Sequence, residues 1–310
     1  MKIIKPSVEI IEPTNVLEHI EKAYRVCYKS ENLIKEGSAE RIIKSMAIGK
    51  GHWSPTEHFN FIVEVPYDIY SAFMYEDAKF INKTYTSRRC VVSGSARAFV
   101  EAYKNTQNPF IKLSIEGIVN EIISEYDCSV LFENVGTVRK IEGIKVLSMD
   151  DLEQYELETH GWFTAKFICD RAIANEVVRH RTASYSQEST RYANYSMDKF
   201  GNEITVIEPC FWDNDSDFMK DWKSAMRMCE SHYFGLIKQG VKPEEARSVL
   251  PNSLKTELIM TANLSEWRHF FELRCDKAAH PQMRQVAMML LEQAHEKFPV
   301  VFDGIWEKYK

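Results

Sequence analysis

The sequence predicts an α+β fold in which helix outweighs strand. Three observations carry that expectation. Segments of β-branched and aromatic residues, such as 59–65 and 162–168, are few and short, whereas stretches with apolar residues three and four apart recur along the chain. No repeat with a period of about 20 to 50 residues is visible and no Ser/Gly-rich linker divides the sequence, and at 310 residues one large domain or two smaller ones are both possible. The 17 Phe, 14 Tyr and 6 Trp, with a charged fraction of 27%, supply enough apolar area for a packed core and exclude intrinsic disorder.

Taken in order, 2–12 alternates loosely and stops at Pro13, which reads as a strand. Residues 16–28 have the helical spacing Val16, Ile20, Ala23, Tyr24, Cys27, and 39–48 fits a second helix. A turn-rich stretch from Gly49 to Pro55 precedes the strand 59–65. Beyond it, 68–80, 96–103 and 110–126 read as helices and 135–149 as mixed and polar. The strand 162–168 runs into a helix over 170–178. Residues 218–238 form a long amphipathic helix, and Pro243 starts a short one that Pro251 ends. Residues 254–273 read as a helix interrupted near Thr261 and Asn263, and 281–297 and 302–309 as the last two.

The formal net charge of −6 argues against a nucleic-acid partner for the chain as a whole, so any anion site must be a local cluster of cations. No uncharged apolar run approaches the roughly 18 residues of a membrane helix. The first residues lack the apolar stretch and cleavage site of a signal peptide, so the expected compartment is the cytoplasm. Seven scattered cysteines without a C-x-x-C pair predict free thiols rather than disulfides or structural zinc. His52 and His58 lack the spacing of a zinc helix motif, and no metal site is expected. Neither a G-x-S-x-G elbow nor a Gly-rich nucleotide loop is present.

The most unusual stretch is 179–192. Arg179, His180, Arg181 and Arg191 are interleaved with Thr182, Ser184, Ser186, Gln187 and Ser189, a combination of forked cations and hydroxyls that suits a phosphate or another oxyanion. The competing reading is a solvated basic turn. Its position directly after an apolar helix, with Glu188 as its one acid, favours the first. Arg247, flanked by Ala, Val and Leu, either extends its head to water or meets a buried anion, and Arg274 closes the helical stretch. At 3.6 residues per turn Asn263 and His269 do not share a helix face closely, unless the helix breaks near Asn263.

Arg179-His180-Arg181, followed by Ser189 and Arg191-Tyr192, resembles the signature of the flavin-dependent thymidylate synthases, R-H-R-x-x-S-x-(N/S)-(E/Q)-x-S-x-R-Y. Gly51 to His58 is similar to that family's G-H-x-(S/T)-x-x-E-H, and Ala246 to Pro251 to its A-R-x-x-L-P. Asn263 and the run from Trp267 to Arg274 match as well, all in the family's order. The likeness covers 1 to about 65 and 160–310 and leaves 66–158 as a partly helical insertion.

The resemblance implies a mixed or antiparallel central sheet flanked by helices. It also implies methylation of dUMP to dTMP with methylenetetrahydrofolate as carbon donor and FAD, recharged by NADPH, as hydride source. Carried over by position, Ser54, Arg179, His180, Arg181, Gln187, Asn263 and His269 would contact FAD. Glu176, Arg179, Gln187, Glu188, Ser189, Arg191, Arg247 and Arg274 would surround dUMP, with Arg274 against the uracil ring and His52 on the flavin and folate side. Glu176 stands where many members carry Gln, Gln187 where some carry Glu, and His269 where some carry Asn. The family is expected to act as a homotetramer. The rival class is a non-enzymatic nucleotide or nucleic-acid binding module built on the same arginines.

Overall fold

The computed structural model describes residues 1–75, 78–138, 140–191, 193–197 and 200–310. Tyr192, the last position of the arginine-rich run, and residues 76 and 77 of the expected 68–80 helix lie outside the described residues. The chain begins with β1 (Lys2–Ile4), β2 (Ser7–Ile11) and helix α1 (Val16–Tyr28). Asn15 caps α1, its side-chain oxygen accepting from the Leu17 and Glu18 amides, and Lys29 ends it in the left-handed region at φ 49°. Helix α2 (Ser38–Ile43) continues into one wider turn to Ile48, and a 3₁₀ turn, Ser54–Glu57, leads into β3 (Asn60–Val65).

The next stretch carries α3 (Tyr67–Tyr75), β4 (Asn82–Tyr85), β5 (Cys90–Ser95), α4 (Ala96–Asn105), α5 (Pro109–Tyr126), β6 (Lys145–Leu147) and α6 (Gln154–His160). Then follow β7 (Trp162–Asp170), α7 (Arg171–Val177), β8 (Ser184–Gln187), β9 (Thr205–Ile207), α8 (Asp217–Lys238) and α9 (Pro243–Ala246). The chain closes with β10 (Lys255–Asn263), α10 (Leu264–Arg274), α11 (Pro281–Lys297) and α12 (Pro299–Tyr309). The class is α+β.

Two four-stranded antiparallel sheets organise these elements, in the orders β2-β7-β10-β8 and β4-β5-β3-β6, beside a short parallel pair, β1 and β9. The expected helix over 254–273 is half strand. Its first part is β10, which lies between β7 and β8 and is covered on both faces. Leu258, Met260 and Ala262 join the core under α10, α11 and α12, while Ile259 meets Ala23 and Val26 of α1. A strand buried on both faces reads as a continuous apolar run, so its period of two is hidden.

The second sheet shares a core with α1, which contributes Val16, Ile20 and Tyr24 alongside Phe61, Val63, Val91 and Ile118. The 66–158 stretch is therefore packed onto the same body that carries the sequence motifs. All seven cysteines are free; Cys90, Cys128, Cys169 and Cys275 are buried. Among the described residues no helix is long and apolar enough to cross a membrane.

Candidate functional site

Strand β8, itself within the arginine-rich run, is the spine of the site because the Gly51-to-His58 segment and β10, which ends at Asn263, both join it. It pairs with β10, placing Gln187 opposite Leu258 and Ser184 opposite Thr261. His58, fully buried, joins both strands: Nδ1 lies 2.8 Å from Thr261 Oγ1 and Nε2 3.0 Å from Ser186 Oγ. Burial lowers its pKa to about 3, so at neutral pH it is an uncharged pin between the Gly51-to-His58 segment and the arginine-rich run. Its neighbour Glu57 accepts from Ser184 Oγ at 3.0 Å. The turn before β8 is closed by the Tyr185 hydroxyl, which donates to the Val177 and His180 carbonyls.

A second group gathers at the far end of α10. Arg274 donates from Nε to His180 Nε2 at 3.1 Å, from one terminal nitrogen to Glu176 Oε2 at 3.0 Å, and from the other to the Glu176 carbonyl at 3.1 Å. A guanidinium has only donors, so His180 Nε2 must be the acceptor and the imidazole proton must sit on Nδ1, where Glu266 Oε1 takes it at 3.2 Å. Burial, the Arg274 charge and the nearby His269 lower the His180 pKa to about 4, in keeping with a neutral ring. Glu266, His269 and His180 carry the donor types of a metal site, with ligand atoms within 4.8 Å of one another. Both ring nitrogens of His180 already have protein partners, Nδ1 facing Glu266 and Nε2 facing Arg274.

Arg247 is brought to the end of the run. Its Nη1 donates to Thr190 Oγ1 at 3.0 Å and its Nε to the Glu244 carbonyl at 3.0 Å, which leaves it exposed beside Ser189 and Arg191. The Ser189 amide donates to the Cys27 carbonyl at the end of α1, and its Oγ accepts from the Arg191 amide at 3.3 Å. No His or Lys is hydrogen-bonded to that hydroxyl among the described residues. Glu188 is buried, and its carboxylate accepts from Lys255 at 2.9 Å. Gln187 donates to Thr256 Oγ1 at 3.3 Å. His52 packs against the rings of Tyr24 and Tyr28, with Nδ1 3.3 Å from the Tyr28 hydroxyl; burial lowers its pKa.

Between these groups and the second sheet opens a cavity of about 420 Å³. Its core-side wall includes Glu57, Trp162, Arg181, Ser184 and Asn263. Asn263 is not on a helix at all: it ends β10 and caps α10, its side-chain oxygen accepting from the Glu266 amide at 2.9 Å. The break that the sequence allowed near this residue is thus a strand-to-helix junction. Arg181 and Asn263, both expected at FAD, line this cavity; His180 and His269 belong to the Arg274 group, and Ser54 starts the 3₁₀ turn whose last residue is Glu57. A guanidinium, several hydroxyls and amides and an aromatic face are the donor set that a flavin dinucleotide requires, and the size is within the usual range for cofactor sites.

The sequence matches the model of the thymidylate synthase complementing protein family over residues 9–127 and 152–300. The chain belongs to that family. The match includes 66–127 and 152–158 of the stretch expected as an insertion, and its gap is 128–151. A flavin-dependent thymidylate synthase of Pyrococcus furiosus is 39% identical over 125 residues, which are 40% of this chain and 50% of the relative. A flavin-dependent thymidylate synthase of Geobacter sulfurreducens is 37% identical over 132 residues, 43% of this chain and 55% of that one. The chain thus aligns with about half the length of these relatives. Among solved structures, a UMP/dUMP methylase of Streptomyces cacaoi aligns over 100% of this chain and 98% of its own with 16% identity and a TM-score of 0.43.

Sequence reasoning did not single out Glu57, Glu266 or Arg97. Glu57 stands at the acid position of the G-H-x-(S/T)-x-x-E-H pattern, so a signal existed. Glu266 and Arg97 carried none, because each acts through a partner that only the fold brings near.

Proposed function

We propose that this chain is a flavin-dependent thymidylate synthase that methylates dUMP to dTMP, taking the carbon from methylenetetrahydrofolate. The observation that carries the reading is the fixed Arg274 guanidinium in a chain of this family. Three of its five N–H groups are committed to His180 and Glu176, which locks the plane and leaves two donors to point at a ligand. A preset cation of that kind favours negative charge on a pyrimidine at N3 and O4 as C5 attacks the one-carbon unit. Reduced FAD, recharged by NADPH, would supply the hydride.

The protein's own contribution is binding and orientation. Arg191 and Arg247, gathered by Ser189 and Thr190, take the dUMP phosphate as a forked clamp. Glu176, Arg179, Gln187, Glu188 and Ser189 shape the rest of the nucleotide site, Glu188 through its backbone since its carboxylate is held by Lys255. Arg179, His180, Arg181, Gln187, Ser54, Asn263 and His269 hold the flavin side, with His52 at the folate edge. The active form is a homotetramer in the cytoplasm with sites shared between subunits.

The test is tritium release from 5-tritiated dUMP with methylenetetrahydrofolate and NADPH, with and without FAD. FAD-dependent release, from a protein that carries the flavin absorption band near about 450 nm, is expected. A colourless protein that cannot be loaded with FAD would falsify the reading and leave a plain nucleotide-binding module.

A further inference from the structure

The cavity beside Arg181 and Asn263 has a second wall that none of the motif segments supplies. It is built by residues 80–98. Asn82 on β4 and Ser95 at the end of β5 face the space, Arg97 and Ala98 of α4 continue the wall, and Phe80 stands at the rim, 71% exposed. The rim is fixed by close backbone packing: a Cβ on Gly94 would come 3.1 Å from the Phe80 carbonyl oxygen, so β5 carries a glycine where the Phe80 segment crosses it. The wall is also tied to the motif side. Arg97 Nη1 donates to Glu57 at 2.7 Å and its Nε to Glu101 at 2.6 Å, while the other Glu57 oxygen accepts from Ser184. The chain Arg97, Glu57, Ser184 thus couples α4 to β8 across the cavity.

We propose that this wall completes the flavin site: Phe80 stacks on a heteroaromatic ring of bound FAD, Asn82 hydrogen-bonds to it, and Arg97 is a positioning residue that holds Glu57 toward the ligand. The inference rests on the flavin reading above and extends it to a part of the chain outside the motifs. The physical grounds are the residue types. An aromatic ring this large left 71% exposed over a cavity already lined by a guanidinium and amides has apolar area to gain from a planar ligand. The facing Asn82 offers both a donor and an acceptor to a ring with several of each.

The experiment titrates the FAD-free protein with FAD, following flavin fluorescence, and separately with dUMP. Phe80→Ala and Asn82→Ala are each expected to raise the FAD Kd about tenfold, the worth of one stacking or hydrogen-bonding contact. The dUMP Kd and the unfolding midpoint of the FAD-free protein should stay unchanged. Arg97→Ala should weaken FAD to a similar degree, with Arg97→Lys recovering part of the loss. If the wild type binds FAD and the Phe80 and Asn82 variants bind it within twofold, the wall plays no part and the proposal is overturned while the flavin reading stands. An equal loss of dUMP affinity would overturn it too, as a general disturbance of the site. If the wild type itself takes up no FAD, the flavin reading fails and this proposal with it.

Discussion

Glu257 offers a sharp quantitative test of how the site is supported. It sits on β10, its side chain only 6% exposed, with Lys29, Lys166 and Lys255 as ion-pair partners. Its backbone carbonyl accepts from the Glu188 amide, and Lys255 bridges its carboxylate to that of Glu188, so the cluster underlies the arginine-rich run directly. Burial on its own raises the pKa of this carboxyl. The three lysines, Lys255 first, outweigh burial and hold it down at about 2 against an ordinary 4.5. Because the folded pKa is the lower one, the stabilisation is complete above pH 4.5 and is lost as pH falls through 2. A depression of that size is worth about 3 kcal/mol at pH 7 and about half of that at pH 3. Glu257→Gln removes it and leaves three lysines facing a neutral amide, a loss of the same order as breaking a buried pair. Urea unfolding of wild type and variant at fixed protein concentration should therefore show a gap near about 3 kcal/mol at pH 7 that closes by about half at pH 3. A gap below about 1 kcal/mol at pH 7, or one that does not change with pH, would refute the assignment of the lysines as the cause.

Two further outcomes probe the reacting centre. Arg191→Ala and Arg247→Ala should each raise the dUMP Kd ten- to about a hundredfold, since a hydrogen bond to a charged group is worth about 1.5–3 kcal/mol, and leave FAD affinity intact; isothermal titration with each ligand separates the two. Glu266→Ala should lower kcat about tenfold with the dUMP Kd unchanged, because His180 loses the acceptor that keeps its proton on Nδ1, while Glu266→Gln should restore most of the rate through its amide oxygen. Equal kcat losses in both Glu266 variants would show that the carboxylate charge, and not the imidazole's orientation, is what matters.

How far the fold could be read depended on where each element lies. Helices at the surface, such as α1 and α8, keep one polar face, and their apolar spacing was plain in the sequence. Strand β10 was not readable as a strand because helices cover both its faces, and β4 was missed because an edge strand of Asn82, Lys83, Thr84 and Tyr85 carries no apolar alternation. The site divides the same way. The R-H-R run and the residues after it are contiguous, so the cluster from Arg179 to Arg191 was legible as a candidate site. The contacts that orient those residues span long separations: Glu266 reaches His180 across 86 positions and Arg274 reaches Glu176 across 98. Spacing along the chain holds no trace of such pairs, and only the junction of β10 with α10 brings them together.

The arginines of this acidic chain then fall into two kinds with different work. Arg274 and Arg97 are held by Glu176 and by Glu57 with Glu101, so the plane of each guanidinium is fixed and its charge has a set direction. Arg179 and Arg181 are exposed and have no ion-pair partner among the described residues, so their charge reaches the solvent. In a chain of net charge −6 those two, with Arg191 and Arg247, would supply attraction for an anion, and Arg274 and Arg97 would set how it lies once bound. This separation explains why the site tolerates the acids Glu57, Glu176 and Glu266 among ligands that are themselves anionic. Glu176 and Glu266 are paired with Arg274 and His180, and Glu57 is held between Arg97 and Ser184, so none of the three stands as an uncompensated charge against the ligand.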